Sequence, residues 1–362
     1  MPTTAEAREI ARGWAAETFG ADPDVRGAFL HGSATWLGDD AVIPAASDVD
    51  VVVVTDAPIP PAPRGKVDVG GILLDVSSLS SAGLVSPGHV LGQYHLAGSF
   101  RRPSVVHDRD GWLTGLNAAV SREFAQRRWV ERRVAHADER VRANLRALDR
   151  SAPFHELVTS WLFAAGVTTH MLLVAGLRNP TVRTRYVAVG DLLAGYGMPE
   201  VLPFLLGLLG CADMGRERAL LQLDALGAAF DDAAGAIRTP FFFASDISAR
   251  ARPIAIGGSR ALIAQGRHRE AVFWLVATFA RCMAVFAADA PPVMAQRHEP
   301  GFRRLAADLG IATEDDLRRG GERIAAALPR IREIASAIVD ANPEIDDRPR
   351  FSPAPSSHPR GS

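Results

Sequence analysis

The sequence predicts an α+β protein, with a mixed sheet and flanking helices followed by a larger all-helical domain. Three observations carry this. Short apolar or β-branched runs of strand length, at 26–31, 48–54, 66–69, 72–76 and 104–107, are confined to the first 110 residues. After residue 112 the apolar residues recur at helical spacing, in long segments separated by breaks at proline, glycine or asparagine. A length of 362 residues and a hydrophobic fraction of 48% leave room for two domains and a sizeable core.

The elements follow in order. Residues 3–19 read as an amphipathic helix with Ala5, Ile10, Trp14, Ala15 and Phe19 on one face, ended by Gly20 and Pro23. The run Arg26 to His31 is a strand that Gly32-Ser33 interrupts, and Ala34–Leu37 starts a short helix. Asp48 to Val54, Val after Val, reads as a central strand. Pro58 to Pro63 is a proline-rich connection. Lys66–Val69 and Ile72–Val76 flank Gly70-Gly71, a pair suited to a two-residue hairpin turn. Ser104–His107 is the last strand. Helices are expected over roughly 113–149, 153–176, 183–196, 199–211, 214–235, 258–264, 268–287, 300–307, 314–327 and 328–341. The tail, with Pro343, Pro349, Pro353, Pro355 and Pro359 among Ser and Arg, reads as disordered. The expected division is 1–112, 113–341 and a disordered 342–362.

Composition narrows the classes. Forty basic against 41 acidic side chains argue against a nucleic-acid-coating protein, while leaving room for a local basic groove. Cys211 and Cys282 lie in no Cys/His cluster, so neither a zinc site nor a disulfide framework is expected. The start lacks an apolar signal core, and no uninterrupted apolar stretch reaches membrane-spanning length. Val201–Cys211 is the most apolar candidate and reads as a buried helix. A cytoplasmic chain is the expectation; the oligomeric state is not legible. Lys66 is the only lysine. An anionic substrate must therefore be held mostly by Arg, backbone N–H groups or metal.

The residues with chemistry are few. Asp48 and Asp50 sit at i and i+2 at the start of the Val strand, so both carboxylates share a face. Two like charges there need a cation, and Mg²⁺ held by carboxylates and substrate phosphate oxygens is the usual answer. Gly32-Ser33, after a strand, offers backbone N–H groups and a hydroxyl to a phosphate. Asp75 is an isolated charge on an apolar strand and can complete a metal cage. Asp68, across the glycine turn, is its rival.

Apolar strand, Gly32-Ser33, loop, Asp48-Val-Asp50 on a Val strand, then Asp75 on a later strand: over about residues 24–110 this order resembles the nucleotidyltransferase superfamily that includes DNA polymerase beta and the antibiotic nucleotidyltransferases. The interval from Ser33 to Asp48 is slightly long for the family, which suggests an inserted loop at Gly38–Ala46. The helical region is similar to the second domain of kanamycin- and streptomycin-type adenylyltransferases in architecture alone. The resemblance implies a nucleotidyltransferase-type sheet, two Mg²⁺ ions on Asp48, Asp50 and Asp75, and ATP or another nucleoside triphosphate lying on Gly32-Ser33. It implies attack of an acceptor hydroxyl on the α-phosphorus and release of pyrophosphate. Either Arg127-Arg128 with Arg132-Arg133, or Arg178, Arg183 and Arg185, would neutralise the triphosphate; both groups also read as helix-surface charge. Antibiotic-modifying relatives often supply a glutamate base from the helical domain. Glu131 is the leading candidate here, with Glu123 and Glu156 as alternatives. The expected activity is transfer of a nucleoside monophosphate, AMP from ATP in the leading reading, to a small polar acceptor such as an aminoglycoside. A macromolecular acceptor (tRNA or a protein, as in toxin–antitoxin pairs) and a degenerate nucleotide-binding protein are the competing readings.

Overall fold

The structure is a computed structural model that describes residues 2–44, 47–57, 65–149 and 151–347. The first part runs α1 (Thr4–Phe19), β1 (Val25–His31), β2 (Val49–Thr55), β3 (Gly65–Val69), β4 (Ile72–Ser80), α2 (Pro87–Gly92), β5 (Val105–Asp108) and α3 (Trp112–Glu123). The second part is helical: α4 (Arg127–Arg146), α5 (Phe154–Ala175), α6 (Arg185–Gly195), α7 (Val201–Leu208), α8 (Arg216–Ala236), α9 (Gly258–Ala264), α10 (His268–Asp289), α11 (Pro292–Asp308) and α12 (Glu314–Ala341). This is the expected α+β chain with its sheet first and its long helices after.

The five strands form one mixed sheet in the order β3-β4-β2-β1-β5. The β2–β4 pair is parallel and the others are antiparallel. The two-residue turn at Gly70-Gly71, both at positive φ, sets the β3–β4 register and so places Lys66 opposite Asp75. One sheet face packs under α1, which starts at a Thr3–Glu6 capping box and buries Ala7, Ala11, Ala15 and Phe19. That stripe meets Ala28, Leu30, Val51, Val53, Leu74 and Val76 in a small core. The other face, through Phe29 and Val54, joins the large core of the helices. β2 is covered on both faces, which is why it reads as unbroken valine.

α5 and α10 form the centre of the helical part and are apolar almost all round. By length and composition each could cross a membrane, yet 83% and 78% of their most apolar windows are buried inside the protein. They are longer than α7 within Val201–Cys211, which is the more apolar per residue but too short to span. α4 and α12 pack against α5, and α8 against α10.

Several expected boundaries move. The helix expected over 113–149 breaks at Phe124–Gln126, where buried Arg133 donates to the carbonyls of Phe124 (2.8 Å) and Leu91 (3.2 Å). α3 packs back on the sheet, so a division at residue 112 cuts between a helix and the strand it covers. Pro300 and Pro329 lie inside α11 and α12 and do not end them. A proline removes one helix hydrogen bond. In α12 the buried face on both sides, Leu317, Ile324 and Leu328 before and Ile331 and Ile338 after, keeps the helix in place. The expected disorder from residue 342 is corrected for 342–347. Asn342 is buried, and Asp346 bridges Gln126, exchanging backbone hydrogen bonds with Ala125 and Arg127. Residues 348–362, with Pro349, Pro353, Pro355 and Pro359, lie outside the described residues, as do the whole Pro58–Pro63 connection and residues 45–46 of the expected inserted loop.

Candidate active site

The sheet register assembles the site. His31 pairs with Asp50, Asp50 with Asp75, and Asp75 with Lys66, so one row crosses β1, β2, β4 and β3. Directly opposed residues of neighbouring strands project to the same face. Here that is the face turned to the helical part, because Phe29 and Val54, at even spacing from His31 and Asp50, belong to the large core. Asp48, just before β2, joins the row through Lys66.

Lys66 holds the acidic groups together. Its Nζ lies 2.5 Å from Asp48 Oδ2, 2.7 Å from Asp75 Oδ2 and 3.5 Å from Asp246 Oδ1, with its side chain only 3% exposed. Asp246 reaches the site from a short turn before α9 and also accepts from Arg281 Nη1 at 2.8 Å. Ser245 Oγ donates to Asp75 Oδ1 at 3.3 Å, and Arg250 Nη1 donates to the Lys66 carbonyl at 2.9 Å. Residues 245–250 of the helical part are thus docked on the β3–β4 edge.

The electrostatics follow from crowding. Burial, then Asp48 and Asp75, pushes the Asp50 carboxyl up to about 8, with Lys66 opposing. Burial also raises Asp75 against the pull of Lys66. For Lys66, burial works against the ammonium, but Asp48 and Asp75 outweigh it and hold the group above the usual lysine range. Burial lowers His31 to about 4, so it is neutral at pH 7, with Nδ1 2.5 Å from Ser99 Oγ.

Gly32 opens a 3-10 turn over Gly32–Thr35 at φ +59°, and a Cβ there would stand 2.2 Å from Asp50 Oδ2. Only glycine lets the backbone meet this carboxylate. Arg8 of α1 braces the turn from behind, donating to the carbonyls of Ala34 and Leu37. Beyond it, Ser33 and Trp36 form one wall of a cavity of about 770 Å³. Arg178 and Asn179 line it from the loop before α6, Tyr196 from the end of α6, and Asn342–Glu344 from beyond α12.

The expected residues are therefore split. Gly32, Asp48, Asp50 and Asp75 come together, with Ser33 beside them at the cavity wall. Asp68 does not join them: it is exposed on β3, two residues beyond Lys66, and pairs with Arg250 at 3.3 Å. Glu131 is exposed on α4 and pairs with Arg127, whose other partners are Asp340 and Asp347. Glu123 accepts from Arg128 and Trp129, and Glu156 is exposed in the first turn of α5. Of the α4 arginines, Arg133 is held in the core and Arg127 by α12 and the chain beyond it, while the exposed Arg128 pairs with Glu123 and Arg132 lies near the Trp129 ring. Of the second group, Arg185 is buried against the Phe273 ring at 3.8 Å, and Arg178 lines the cavity beside Glu344. Burial lowers Arg183, and the Asp48 carboxylate opposes that shift. His95 and His170 pack about Tyr94, with ring centroids 5.2 and 5.6 Å away.

Among the described residues, no three His, Cys, Asp or Glu side chains are arranged as a ready metal cage. The donor set fits one divalent cation better than two. Asp50, crowded by like charges with Asp48 beside it, would be relieved by a cation there. Between Asp48 and Asp75, where a second ion is expected, the Lys66 ammonium already stands. No protein-family model matches the chain, and no curated protein matches it.

Proposed function

We propose that this chain is a nucleotidyltransferase acting on a small polar acceptor, with ATP as the leading donor. The observation that carries the reading is the register that sets Asp50 opposite Asp75, with Gly32 pressed on Asp50. Three carboxylates on one face, beside a glycine turn leading into a cavity, suit a triphosphate bound with a divalent cation. Asp48 and Asp50 would hold Mg²⁺, which supplies charge neutralisation to the phosphate oxygens. Gly32 and Ser33 would cradle the triphosphate, with Arg183 and Arg178 as flanking cations. Trp36 and Tyr196 offer aromatic surface to a base.

In the proposed reaction an acceptor hydroxyl oxygen bonds to the α-phosphorus and the bond to the bridging oxygen of the β-phosphate breaks. Pyrophosphate leaves with the bonding pair, and a carboxylate of the cluster takes the hydroxyl proton. Asp75, Asp246 and Ser245 form the acidic, hydroxyl-bearing side of the cleft, which suits an acceptor rich in amines and hydroxyls, such as an aminoglycoside. The test is pyrophosphate release from Mg–ATP against aminoglycosides, bulk tRNA and no acceptor. Release that depends on an aminoglycoside supports the reading. Release with tRNA alone moves the acceptor class, and none with any acceptor leaves the nucleotide-binding alternative.

A further inference from the structure

We propose that Lys66 takes the place of a second divalent cation, so that this centre binds one metal ion and carries its other positive charge on the chain. The inference rests on the nucleotidyltransferase reading for its context, but its evidence is geometric. An ammonium has three N–H donors on a compact charge. Three carboxylates, Asp48, Asp75 and Asp246, present oxygens to Nζ within 3.5 Å. A planar guanidinium could not be shared among them in this way. Among 40 basic side chains this is the single lysine, placed where a compact cation is needed.

The position is also built rather than incidental. The Gly70-Gly71 turn fixes Lys66 opposite Asp75, and Arg250 holds the Lys66 carbonyl from the helical part. The side chain is 3% exposed, so it is not a surface lysine that happened to find a partner. With Lys66 in place, a second ion could reach Asp75 only by displacing a buried ammonium from its carboxylate partners Asp48, Asp75 and Asp246. Asp75 is then a carboxylate held by Lys66 and Ser245 on the acceptor side, and the resident charge there is constant, independent of Mg²⁺ concentration.

The wild-type chain tests this without any substitution. Labelling with [¹⁵N-ζ]lysine gives one ammonium resonance, because Lys66 is the only lysine. That resonance is expected to stay protected from water exchange when Mg²⁺ is raised to saturation. Its loss to fast exchange would show displacement and overturn the proposal. A second measurement counts bound Mn²⁺ by electron paramagnetic resonance, with and without α,β-methylene-ATP. Lys66→Met is expected to bind one more ion per chain than wild type, and Lys66→Arg no more than wild type. Equal stoichiometry in wild type and Lys66→Met, or two ions in wild type, overturns it. Failure of the analogue to bind at all counts against the nucleotidyltransferase reading, while the ammonium resonance and the Mn²⁺ increment still decide the role of Lys66.

Discussion

At the level of single residues, the site is an exercise in balancing negative charge. Asp48→Asn and Asp50→Asn are each expected to lower nucleotidyl transfer by at least about 100-fold, since even the outer partners of metal sites cost 10–100-fold. Turnover with saturating Mg–ATP checks this, and activity equal to wild type would remove these residues from the chemistry. Stability gives an independent reading of Asp50. Its native pKa is raised to about 8, whereas an unfolded chain ionises it near 4. Between those values the native state binds a proton that the unfolded state has lost, so Asp50 makes the fold less stable as pH rises through that window. Asp50→Asn, melted in EDTA, should raise Tm by at least about 2 °C near pH 8.5, with the gain fading toward pH 4. A lower Tm for the variant at high pH would contradict the crowding.

Much of this row was legible. Period-two spacing fixed Asp48 and Asp50 on one side, and the two-residue glycine turn determines that Lys66 faces Asp75. Lys66 was visible as a compositional oddity, and counting residues back from the turn would have placed it. Asp246 and Ser245 were not legible, because they lie about 170 positions from Asp75 along the chain and no local pattern marks a contact at that distance.

At the level of elements, helices and loops that look charged for function are often charged for docking. The Arg-rich start of α4 holds the break at Phe124–Gln126 and the chain beyond α12. Glu131→Gln should therefore keep transfer within about 3-fold of wild type, because an exposed ion pair contributes little. A loss of 100-fold would return Glu131 to the role of base. Residues 342–347 matter more than their composition suggests. They close one side of the cavity and pair with residues 125–127 through backbone hydrogen bonds. A chain ending at Ala341 should bind a non-hydrolysable ATP analogue roughly 10-fold more weakly, about 1.4 kcal/mol, by calorimetry. Unchanged affinity would place the nucleotide elsewhere. The prolines of the tail from Asn342 pointed to disorder, but Asn342 is buried and Ile345 packs on the large core, through contacts that a local reading cannot supply. The same limit applies to Pro300 and Pro329, where buried faces on either side override a helix-breaking residue.

At the level of the whole molecule, the sheet and the helices share one apolar core through Phe29 and Val54, while α1 closes a smaller one on the far face. The sheet presents its carboxylates to the face that the helices cover, and the segment at 245–250 reaches across to them. The carboxylate row and the Ser245–Asp246 side are thus contributions of different parts of the chain to one cluster. The sequence texture announced two kinds of structure, strands then helices, but not that their cores merge, since merging depends on which face of each strand the helices choose. The claim of nucleotidyl transfer is tested most directly by following the label from [α-³²P]ATP and [γ-³²P]ATP in parallel, with Mg²⁺ and an aminoglycoside panel. The expected outcome is α-label on the acceptor, γ-label in pyrophosphate, and neither with Asp50→Asn. Transfer of γ-label to the acceptor, or α-label incorporation that survives Asp50→Asn, would contradict it.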